Sequence, residues 1–304
     1  MALISLLNEL PPPSSDKIGW PWTEESKPLP ALMTDGNPWP KISVVTPSFN
    51  QGQFIEETIR SVLLQNYPNL EYIIMDGGST DNTAEIIKKY EPWIKYWVSE
   101  RDAGQSNAIN KGFSISTGDI LAWLNSDDIY LMNSLSKVAK ELTKKNFNII
   151  VGERLNISQD GYIINRQTIS SRPVTLFQVL YMGRWPFYQE SVLFTKDIWN
   201  RAGKLSEKYN LLFDFEFFVR CLHFCKALTL PGILLGCWRH HDLQKIHPDR
   251  EIAVKREIAD IFSIYRKKYY PEWLLKILWS LGRRTVWKND KTVTISGNIR
   301  EMRV

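Results

Sequence analysis

The chain has 304 residues, of which 43% are hydrophobic and 23% are charged, a composition typical of a globular protein with a full core. The formal charge of +5 is weakly basic, and no basic block accompanies an RNA-binding or helix-turn-helix signature, so nucleic acid is not an expected partner. Three cysteines make an odd, sparse set that argues against a disulfide framework.

Cysteine usage and the amino terminus both indicate a cytoplasmic protein. Cys221 and Cys225 stand one helical turn apart around His223, a spacing that a zinc site could use, but their aromatic and aliphatic neighbours favour buried apolar thiols. The amino terminus lacks the basic region of a signal peptide. No apolar stretch reaches the roughly 18 residues that a membrane-spanning helix needs. We therefore expect the protein in the cytoplasm.

Residues 1–40 are predicted to form an arm. Repeated prolines between positions 11 and 40 deny this segment a regular helix or a central strand. Trp20, Trp22 and Trp39 are interspersed among the prolines, which favours an extended arm lying on the body of the protein. The alternative interpretation is a proline-rich ligand for another protein.

Strand and helix patterns alternate in the next part of the chain. Four apolar or extended segments are predicted as strands: 42–47, 71–76, 95–99 and 119–124. Three segments between them carry helical periodicity: 54–65, 83–89 and 108–116. Asp81 is expected to be the N-cap of the second helix. This alternation predicts a parallel sheet with right-handed crossovers.

The pattern changes beyond the fourth strand. Further strands are predicted at 149–152, 161–164, 189–194 and 233–238. Helices are predicted at 215–224 and 250–284. The first two of these strands suggest a hairpin or an extension of the sheet.

Acidic residues at the predicted strand ends carry the strongest chemical signal. Asp76 ends one strand, and Asp127 and Asp128 follow another closely. In open α/β sheets, ligands bind outside the carboxyl ends of the strands, where strand order reverses. Two unit charges about 4 Å apart interact by about 4 kcal/mol at an effective dielectric near 20, so a pyrophosphate here would be repelled without a cation between them. Mn²⁺ or Mg²⁺ held by Asp127 would remove that conflict.

Five polar motifs follow one another between Lys41 and Leu131: 44–50, 76–83, 99–105, 108–112 and 124–128. In order and spacing they resemble the motifs of the family 2 glycosyltransferases of GT-A fold. The resemblance continues more weakly to about Lys245. It implies an α/β, Rossmann-like fold with a mostly parallel central sheet, flanking helices and a carboxyl-terminal helical extension.

The resemblance also implies a division of the chain. After the arm at 1–40, a GT-A domain at 41–248 would contain a nucleotide-sugar-binding half, 41–131, and an acceptor-binding half, 132–248. Residues 249–304 would form a helical, basic extension.

Most donor-binding residues are assigned by this resemblance alone. Those expected to hold the base and ribose or to line their loops are Pro47, Ser48, Phe49, Asn50, Asp76 and Ser79. Those expected on the diphosphate-sugar side are Gln105, Asn110 and Lys111. Asn125, Ser126 and Asp127 stand at the position of the family's DxD metal motif. Because Asn125 replaces the first aspartate, Asp127 is the main expected metal ligand.

The segment 213–220 resembles the start of the helix that carries the catalytic base in inverting members of the family. Glu216 stands four residues before Arg220, so an ion pair within the helix is its structural alternative. Asp214 remains free to take a proton from an acceptor hydroxyl. We expect Asp214 to be the base.

Two further segments extend the resemblance. Arg239, His241 and Lys245 are in register with an Arg-x-His-x-x-x-Lys motif, so His241 is expected at the metal or diphosphate, and the two cations at the leaving group. Trp185, Gln189 and Glu190 lie where related enzymes build the acceptor pocket, and aromatic faces stack well on sugars.

The segment 265–284 has an apolar stripe flanked by basic residues and interfacial aromatics. Such a helix could lie on the inner face of the cytoplasmic membrane as a peripheral contact. A helix packed on the domain is the alternative.

Together these features predict an inverting, metal-dependent transferase that moves a sugar from a nucleotide-diphosphate sugar, with UDP favoured, to a glycan or lipid-linked acceptor. Bacterial surface-polysaccharide assembly is the setting that the family suggests. A nucleotidyltransferase acting on a sugar phosphate and a non-catalytic carbohydrate-binding protein are the two alternatives.

Overall fold

The computed structural model describes residues 5–144, 147–242, 244–245, 248–269 and 292–293. The strands within these ranges are β1 Ile42–Ser48, β2 Leu70–Asp76, β3 Tyr96–Ser99, β4 Ile120–Trp123, β5 Ile129–Tyr130, β6 Ile149–Ile157, β7 Ile163–Gln167, β8 Val192–Thr195, β9 Ala227–Arg239 and β10 Thr292–Val293. The α-helices are α1 Ile55–Leu63, α2 Thr83–Lys89, α3 Gln105–Ile115, α4 Ser134–Leu142, α5 Leu176–Met182, α6 Lys196–Ala202, α7 Phe213–Cys221 and α8 Glu251–Tyr269.

All ten strands belong to one sheet, which has a parallel and a mixed part. In the parallel part, β1 pairs with β2 and β4, and β2 pairs with β3. Beyond β4 the neighbours β8, β6, β7 and β10 pair antiparallel, while β9 runs parallel to β6 and antiparallel to β5. The expected α/β fold with helices packed on a central sheet is confirmed. Strand order reverses at β1, so the carboxyl ends of β1, β2 and β4 border one crevice.

Helix α3 packs very close to the parallel strands. A Cβ built on Gly112 would lie 2.5 Å from Cγ1 of Val45 and 3.3 Å from Cγ of Met75. Glycine is therefore needed here to bring the helix against β1 and β2, and this contact positions Gln105 at the start of the helix. The neighbouring core residues Ile109 and Phe113 are buried.

The proline-rich arm lies on the body, as its tryptophans predicted. Trp20, Trp22 and Trp39 are buried, and Nε1 of Trp20 donates to the carbonyl of Tyr130 at 2.8 Å. The fully buried guanidinium of Arg60 on α1 donates to the carbonyl of Trp22 at 2.8 Å. One cation of the body thus ties down the arm.

Several element boundaries differ from the prediction. The expected strand at 189–194 begins as a 3-10 helix, Gln189–Ser191, and only β8 is extended. Helix α3 begins at Gln105, three residues early, and Asn82 rather than Asp81 occupies the N-cap of α2. Asp81 still accepts the N–H of Thr83 at 3.0 Å. Helices α4, α5 and α6 were not predicted, because each is short and amphipathic only over about two turns.

The carboxyl-terminal part of the chain is described only in pieces. Helix α8 confirms the start of the expected helix, but the rest of that prediction and most of the membrane-binding stripe at 265–284 lie outside the described residues. Throughout the described ranges, no helix combines the length and apolarity that crossing a bilayer requires.

The cysteines are free thiols, as expected. Cys221 and Cys237 are buried, and Cys225 is half-buried. Burial raises the pKa of the Cys225 thiol to about 12, which keeps it protonated. Within the described part of the chain, no three His, Cys, Asp or Glu side chains converge as a ready-made metal site, so the zinc interpretation has no support.

Candidate active site

Asp127 and His241 meet at the centre of the crevice. Oδ2 of Asp127, just beyond β4, lies 2.9 Å from Nε2 of His241, just beyond β9. The ring of Phe54 packs on His241 with centroids 4.7 Å apart. The expected site residue Ser126 is buried, and its carbonyl accepts a hydrogen bond from Thr58 at 3.0 Å. Two strand ends that are far apart in sequence therefore place a carboxylate and an imidazole in contact.

Asp128 is fully buried beside this pair. Its Oδ1 accepts the backbone N–H of Arg239 at 3.0 Å, and its Oδ2 accepts Nε2 of Gln189 at 2.9 Å. Burial raises its pKa well above the usual range, and the nearby carboxylates of Asp127 and Glu190 raise it further. Asp128 thus joins β4, the end of β9 and the segment before β8.

Arg239 is a buried structural cation as well as a candidate site residue. Its Nη2 lies 2.8 Å from Oε2 of Glu57, and its Nε donates to the carbonyl of Asp127 at 2.9 Å. Its side chain is only 1% exposed, so Glu57 already offsets its charge. The observed contacts hold the backbone of Asp127; the expected contact with a leaving group stays a prediction.

Gln105, Asn125 and Lys245 form a second polar chain in the crevice. Nε2 of Gln105 donates to Oδ1 of Asn125 at 2.7 Å, and Nζ of Lys245 donates to Oε1 of Gln105 at 3.3 Å. The Lys245 ammonium also lies 5.4 Å from the centroid of the Phe213 ring. Burial lowers the pKa of Lys245. This partly desolvated cation connects the Asp127 loop with the start of α7.

The loop after β2 is closed by hydrogen bonds to Asp76. Ser79 donates from its backbone N–H at 2.9 Å and from its hydroxyl at 2.5 Å, and the Ser99 hydroxyl donates at 2.5 Å. Asn50 accepts the N–H of Thr80 at 2.9 Å and donates its own N–H to Ser79 at 2.7 Å. The expected nucleoside residues therefore already form one network.

The end of β1 presents the remaining nucleoside candidates. Pro47 and Ser48 pair with Met75 and Asp76 of β2, and the Ser48 hydroxyl is buried without a hydrogen-bond partner in the described part of the chain. Phe49 directly follows the strand and is 59% exposed. An exposed ring beside an unpaired hydroxyl suits a base and its sugar.

Two expected donor residues on α3 already have partners elsewhere. Both amide atoms of Asn110 bond the backbone of Leu205, at 2.8 and 3.0 Å, and its Nδ2 also reaches Glu207. Lys111 pairs with Glu100 at 3.0 Å on the surface. Asn110 therefore holds the loop before α7 through its bonds to Leu205. Its direct donor contact, like that of Lys111, stays a prediction.

Asp214 occupies the first turn of α7 and keeps most of its hydrogen-bonding capacity. Its Oδ1 accepts the N–H of Phe215 at 2.7 Å. Burial raises the pKa of this carboxyl to about 6; the charge of Glu190 also raises it, and the nearby Lys245 lowers it. A carboxylate with a pKa near the working pH is suited to accept a proton.

Glu216, the other candidate base, is engaged in an internal network. Both of its oxygens accept from the Arg220 guanidinium, at 2.7 and 2.9 Å. The Tyr265 hydroxyl on α8 also donates to it. The ion pair expected from the four-residue spacing is confirmed, and Glu216 joins α7 to α8 instead of facing a substrate.

The three expected acceptor residues divide into two groups. Trp185 packs on the aromatic core, with its ring centroid 4.2 Å from that of Phe215. Gln189 makes the hydrogen bond to the buried aspartate described above. Glu190 is buried and pairs with Arg154 at 3.1 Å. Gln189 and Glu190 therefore adjoin the crevice, whereas Trp185 packs against Phe215 of α7.

Sequence reasoning missed Glu57 and Arg154. Glu57 is separated by 182 positions from Arg239, and no motif marked it as the partner of that cation. Arg154 lies in β6 directly after Glu153, beyond the segment 149–152 that was predicted as a strand. No motif marked it as part of the site.

The donor atoms of the crevice fit a divalent metal ion. Asp127 offers a hard oxygen ligand, and His241 offers an imidazole whose Nδ1 is buried without a hydrogen-bond partner in the described residues. This donor set fits Mn²⁺ or Mg²⁺ if a ligand supplies the remaining oxygens, since no third acidic or histidine side chain converges there in the described ranges.

Known proteins resemble this chain in sequence and in fold. The family model described as "Glycosyl transferase family 2" matches residues 43–215, more than half of the chain. TuaG of Bacillus subtilis (strain 168), a putative teichuronic acid biosynthesis glycosyltransferase, is 34% identical over 125 residues. That match covers 40% of this chain and 50% of TuaG.

Two solved structures share the fold. S. aureus TarS in complex with UDP-GlcNAc has a TM-score of 0.59 at 16% identity, over 80% of this chain and 76% of that chain. The mannosyltransferase PcManGT from Pyrobaculum calidifontis, in complex with GDP-Man and Mn²⁺, has a TM-score of 0.53 at 16% identity, over 85% of this chain and 84% of that chain. At these identities the likeness shows the fold alone, and it confirms the GT-A architecture.

Proposed function

The chain belongs to glycosyl transferase family 2, and on that premise we propose that it uses a nucleotide-diphosphate sugar, with UDP as the favoured nucleotide. The sugar is transferred to a hydroxyl of a glycan or glycolipid, with inversion at the anomeric carbon. The setting is surface-polysaccharide assembly at the cytoplasmic face of the membrane. Residues 41–131 bind the donor and residues 132–248 the acceptor.

One observation carries the proposal: Asp127 and His241 meet at 2.9 Å, and the hydrogen-bonded chain Lys245–Gln105–Asn125 adjoins them. A diphosphate placed here would face a carboxylate and therefore needs a cation. It would also find the partly desolvated ammonium of Lys245, whose charge is attractive to phosphate.

Each side chain of the crevice has a defined task in this reaction. Phe49 and Asp76 hold the nucleoside, the first by its exposed ring and the second by fixing the loop around Ser79. Asp127 and His241 hold the divalent ion. Bound there, the ion would neutralise the diphosphate and make the nucleotide a better leaving group. Lys245 stabilises the negative charge that develops on the leaving phosphate.

Asp214 acts as the general base. Its carboxylate takes the proton of the acceptor hydroxyl as the oxygen bonds to the anomeric carbon and the bond to the nucleotide breaks. Lys245 contacts the Phe213 ring, next to Asp214, and donates to Gln105, which bonds Asn125 near Asp127, so the base and the metal ligands border one crevice. Glu216 is the weaker candidate because Arg220 and Tyr265 occupy its oxygens.

The relatives support the finer parts of this proposal. TarS binds UDP-GlcNAc and PcManGT binds GDP-Man with Mn²⁺, which supports a nucleotide-sugar donor and a divalent ion. The name of TuaG supports an acceptor within a surface polysaccharide.

Calorimetry with UDP, in the presence and absence of Mn²⁺, tests the proposal. Because the protein supplies few ligands, we expect Mn²⁺ alone to bind weakly and UDP to bind at least tenfold tighter when Mn²⁺ is present. Asp127→Asn should abolish the effect of Mn²⁺. The neighbouring exposed Asp242→Asn is the matched control and should retain it. UDP binding that is absent, or indifferent to Mn²⁺ in the unmodified protein, would contradict the metal assignment.

A further inference from the structure

At the carboxyl end of β9, Arg239 lies on one side of the strand, and Trp238 and His240 lie on the other. Successive residues of a strand face opposite sides. Arg239 reaches toward Glu57 and the Asp127 backbone, whereas Trp238 and its second neighbour His240 lie together on the other side, with ring centroids 4.0 Å apart.

Arg154 fills the space between two aromatic rings on that side. Its guanidinium carbon lies 4.1 Å from the centroid of Tyr188 and 4.7 Å from that of Trp238. Its Nη1 lies 3.1 Å from Oε1 of the buried Glu190, so its charge is offset. The arginine therefore fixes two partly exposed rings beside one another without leaving a net charge between them.

Four polar side chains on this surface have a buried atom without a hydrogen-bond partner in the described part of the chain. The atoms are Nε of Arg154, Oδ1 of Asn156, Oε1 of Gln189 and Nε2 of His240. Buried polar groups in folded proteins are usually paired, and each exception asks for an explanation. Their concentration beside two aromatic rings indicates a surface prepared for a ligand with many hydroxyl groups. We call Arg154, Asn156, Tyr188, Gln189, Trp238 and His240 the polar strip.

The polar strip continues across the sheet. Trp238 of β9 is paired with Asn156 of β6, and Nδ2 of Asn156 donates to Oδ1 of Asn165 on β7 at 2.8 Å. Three neighbouring strands span roughly 10 Å at the usual strand spacing. This length is greater than one sugar ring, so it suits a chain of linked sugars.

The polar strip lies next to the residues to which the proposed chemistry is assigned. Gln189 belongs to it and also bonds Asp128, and Glu190, the ion-pair partner of Arg154, acts electrostatically on Asp214. A hydroxyl at Asp214 and a second sugar on the rings of Tyr188 and Trp238 would therefore belong to one continuous ligand.

We propose that the polar strip binds the sugar that precedes the one being glycosylated, so that the acceptor is an oligosaccharide or polysaccharide chain. This inference rests on the proposed function and narrows its acceptor. Aromatic faces stack on the apolar faces of sugar rings, and unpaired amide, imidazole and guanidinium groups bond sugar hydroxyls. A lipid chain would leave those polar groups unpaired, and an anionic group would find Arg154 already neutralised.

Saturation-transfer NMR in the presence of UDP and Mg²⁺, which is diamagnetic and leaves the ligand resonances sharp, tests the inference. The probes are the methyl glycosides of glucose, galactose, rhamnose and N-acetylglucosamine, together with di- to tetrasaccharides of each. We expect at least one oligosaccharide to bind about tenfold or more tightly than its own monosaccharide. His240→Ala and Trp238→Ala should each weaken that binding about tenfold, the size of one lost hydrogen bond or stacking contact.

The controls separate the strip from the fold and from the donor site. His240→Ala removes a nitrogen that has no described partner, so the fold should survive, and Trp238→Phe should recover part of the binding. His223→Ala and Tyr96→Ala change exposed rings away from the strip and should have no effect. If UDP binds with Mg²⁺ but no oligosaccharide is preferred over its monosaccharide, or if both strip variants bind normally, the inference is wrong. Loss of UDP binding in the unmodified protein would overturn the proposed function itself.

Discussion

Buried carboxylates have different surroundings in the two parts of the sheet. Around β1 and β2, Asp76 is enclosed by hydroxyl and N–H groups, and Glu71 accepts from Ser43 and Thr117 at 2.5 and 2.6 Å. Around β6 and β9, burial and neighbouring carboxylates raise the pKa of Asp128. The first part stabilises its ionised carboxylates by hydrogen bonds, whereas the second places Asp128 close to other carboxylates, which favours its protonated form.

This difference separates stability from catalysis. Carboxylates enclosed by hydrogen-bond donors hold the loops after β1 and β2 in place and strengthen the fold. A buried carboxyl with a raised pKa, such as that of Asp214, weakens the fold but gives a base suited to neutral pH. The Ser48 hydroxyl has no hydrogen-bond partner among the residues that the structure describes, and it too lies at a strand end where the donor is expected.

The largest expected effect is on catalysis in the second part. Asp214→Asn should lower the transfer rate about 100- to 10,000-fold, because the acceptor hydroxyl loses its base. UDP binding with Mn²⁺ should be unchanged, which calorimetry can check beside a UDP-release assay. Glu216→Gln serves as the comparison and should lose stability because it breaks the pair with Arg220. Rapid transfer by Asp214→Asn would exclude this residue as the base.

The pH dependence of the rate tests the role of Asp214 in a second way. Asp214 must be ionised to accept a proton, and its pKa is about 6. The value of kcat/KM should therefore fall about tenfold for each pH unit below 6 and level off above it. A stopped assay across pH 4.5–8, with UDP binding followed in parallel, measures this. A rate that stays flat down to pH 5 would contradict the assignment.

Stability should respond most strongly in the first part. Burial raises the pKa of the Glu71 carboxyl, but hydrogen bonds from Ser43 and Thr117 lower it by more, so that its value is about 2. Because the folded pKa is depressed, this stabilisation is present above pH 4.5 and is lost as pH falls toward 2. Glu71→Gln should lower the free energy of unfolding by about 3 kcal/mol at pH 7 and by about half as much at pH 3.

Urea unfolding at both pH values measures the effect of Glu71→Gln. The exposed Glu85→Gln on α2 is the matched control, with an expected change near zero. An equal loss for Glu71→Gln at pH 7 and pH 3 would show that the ionised carboxylate is not the source of the stabilisation.

The smallest expected effect has the opposite sign. The folded pKa of Asp214 is raised, so its stabilisation is complete below the unfolded value of 3.8 and is lost as pH rises through about 6. Asp214→Asn should therefore raise the unfolding free energy at pH 7 by about 2 kcal/mol, allowing for its partial exposure. Near pH 4 the gain should almost vanish. Thermal unfolding at the two pH values checks this, and a destabilised variant at pH 7 would refute it.

Local patterns predicted the part of the sheet around β1, β2 and β4 well because its polar residues lie in short, continuous motifs. These three strands were recognised from apolar runs, and the polar residues after each run border one crevice. The part of the sheet around β8 and β9 was harder to predict. The segment 189–194 reads as a strand, yet Gln189–Ser191 winds into a 3-10 helix that places Gln189 against Asp128. That preference comes from a tertiary contact, which no local pattern contains.

By itself, the sequence determined the α/β plan, the family and the aspartates at the strand ends, because periodicity and motif spacing are local properties. Only the tertiary structure decided which polar groups are already satisfied. It brought His241 to Asp127 and gave Glu216 and Asn110 partners among their neighbours, while Nε of Arg154 and Nε2 of His240 have no hydrogen-bond partner within the described ranges. Such pairings depend on contacts between residues as much as 182 positions apart, and those contacts offset the desolvation cost of burying a charge.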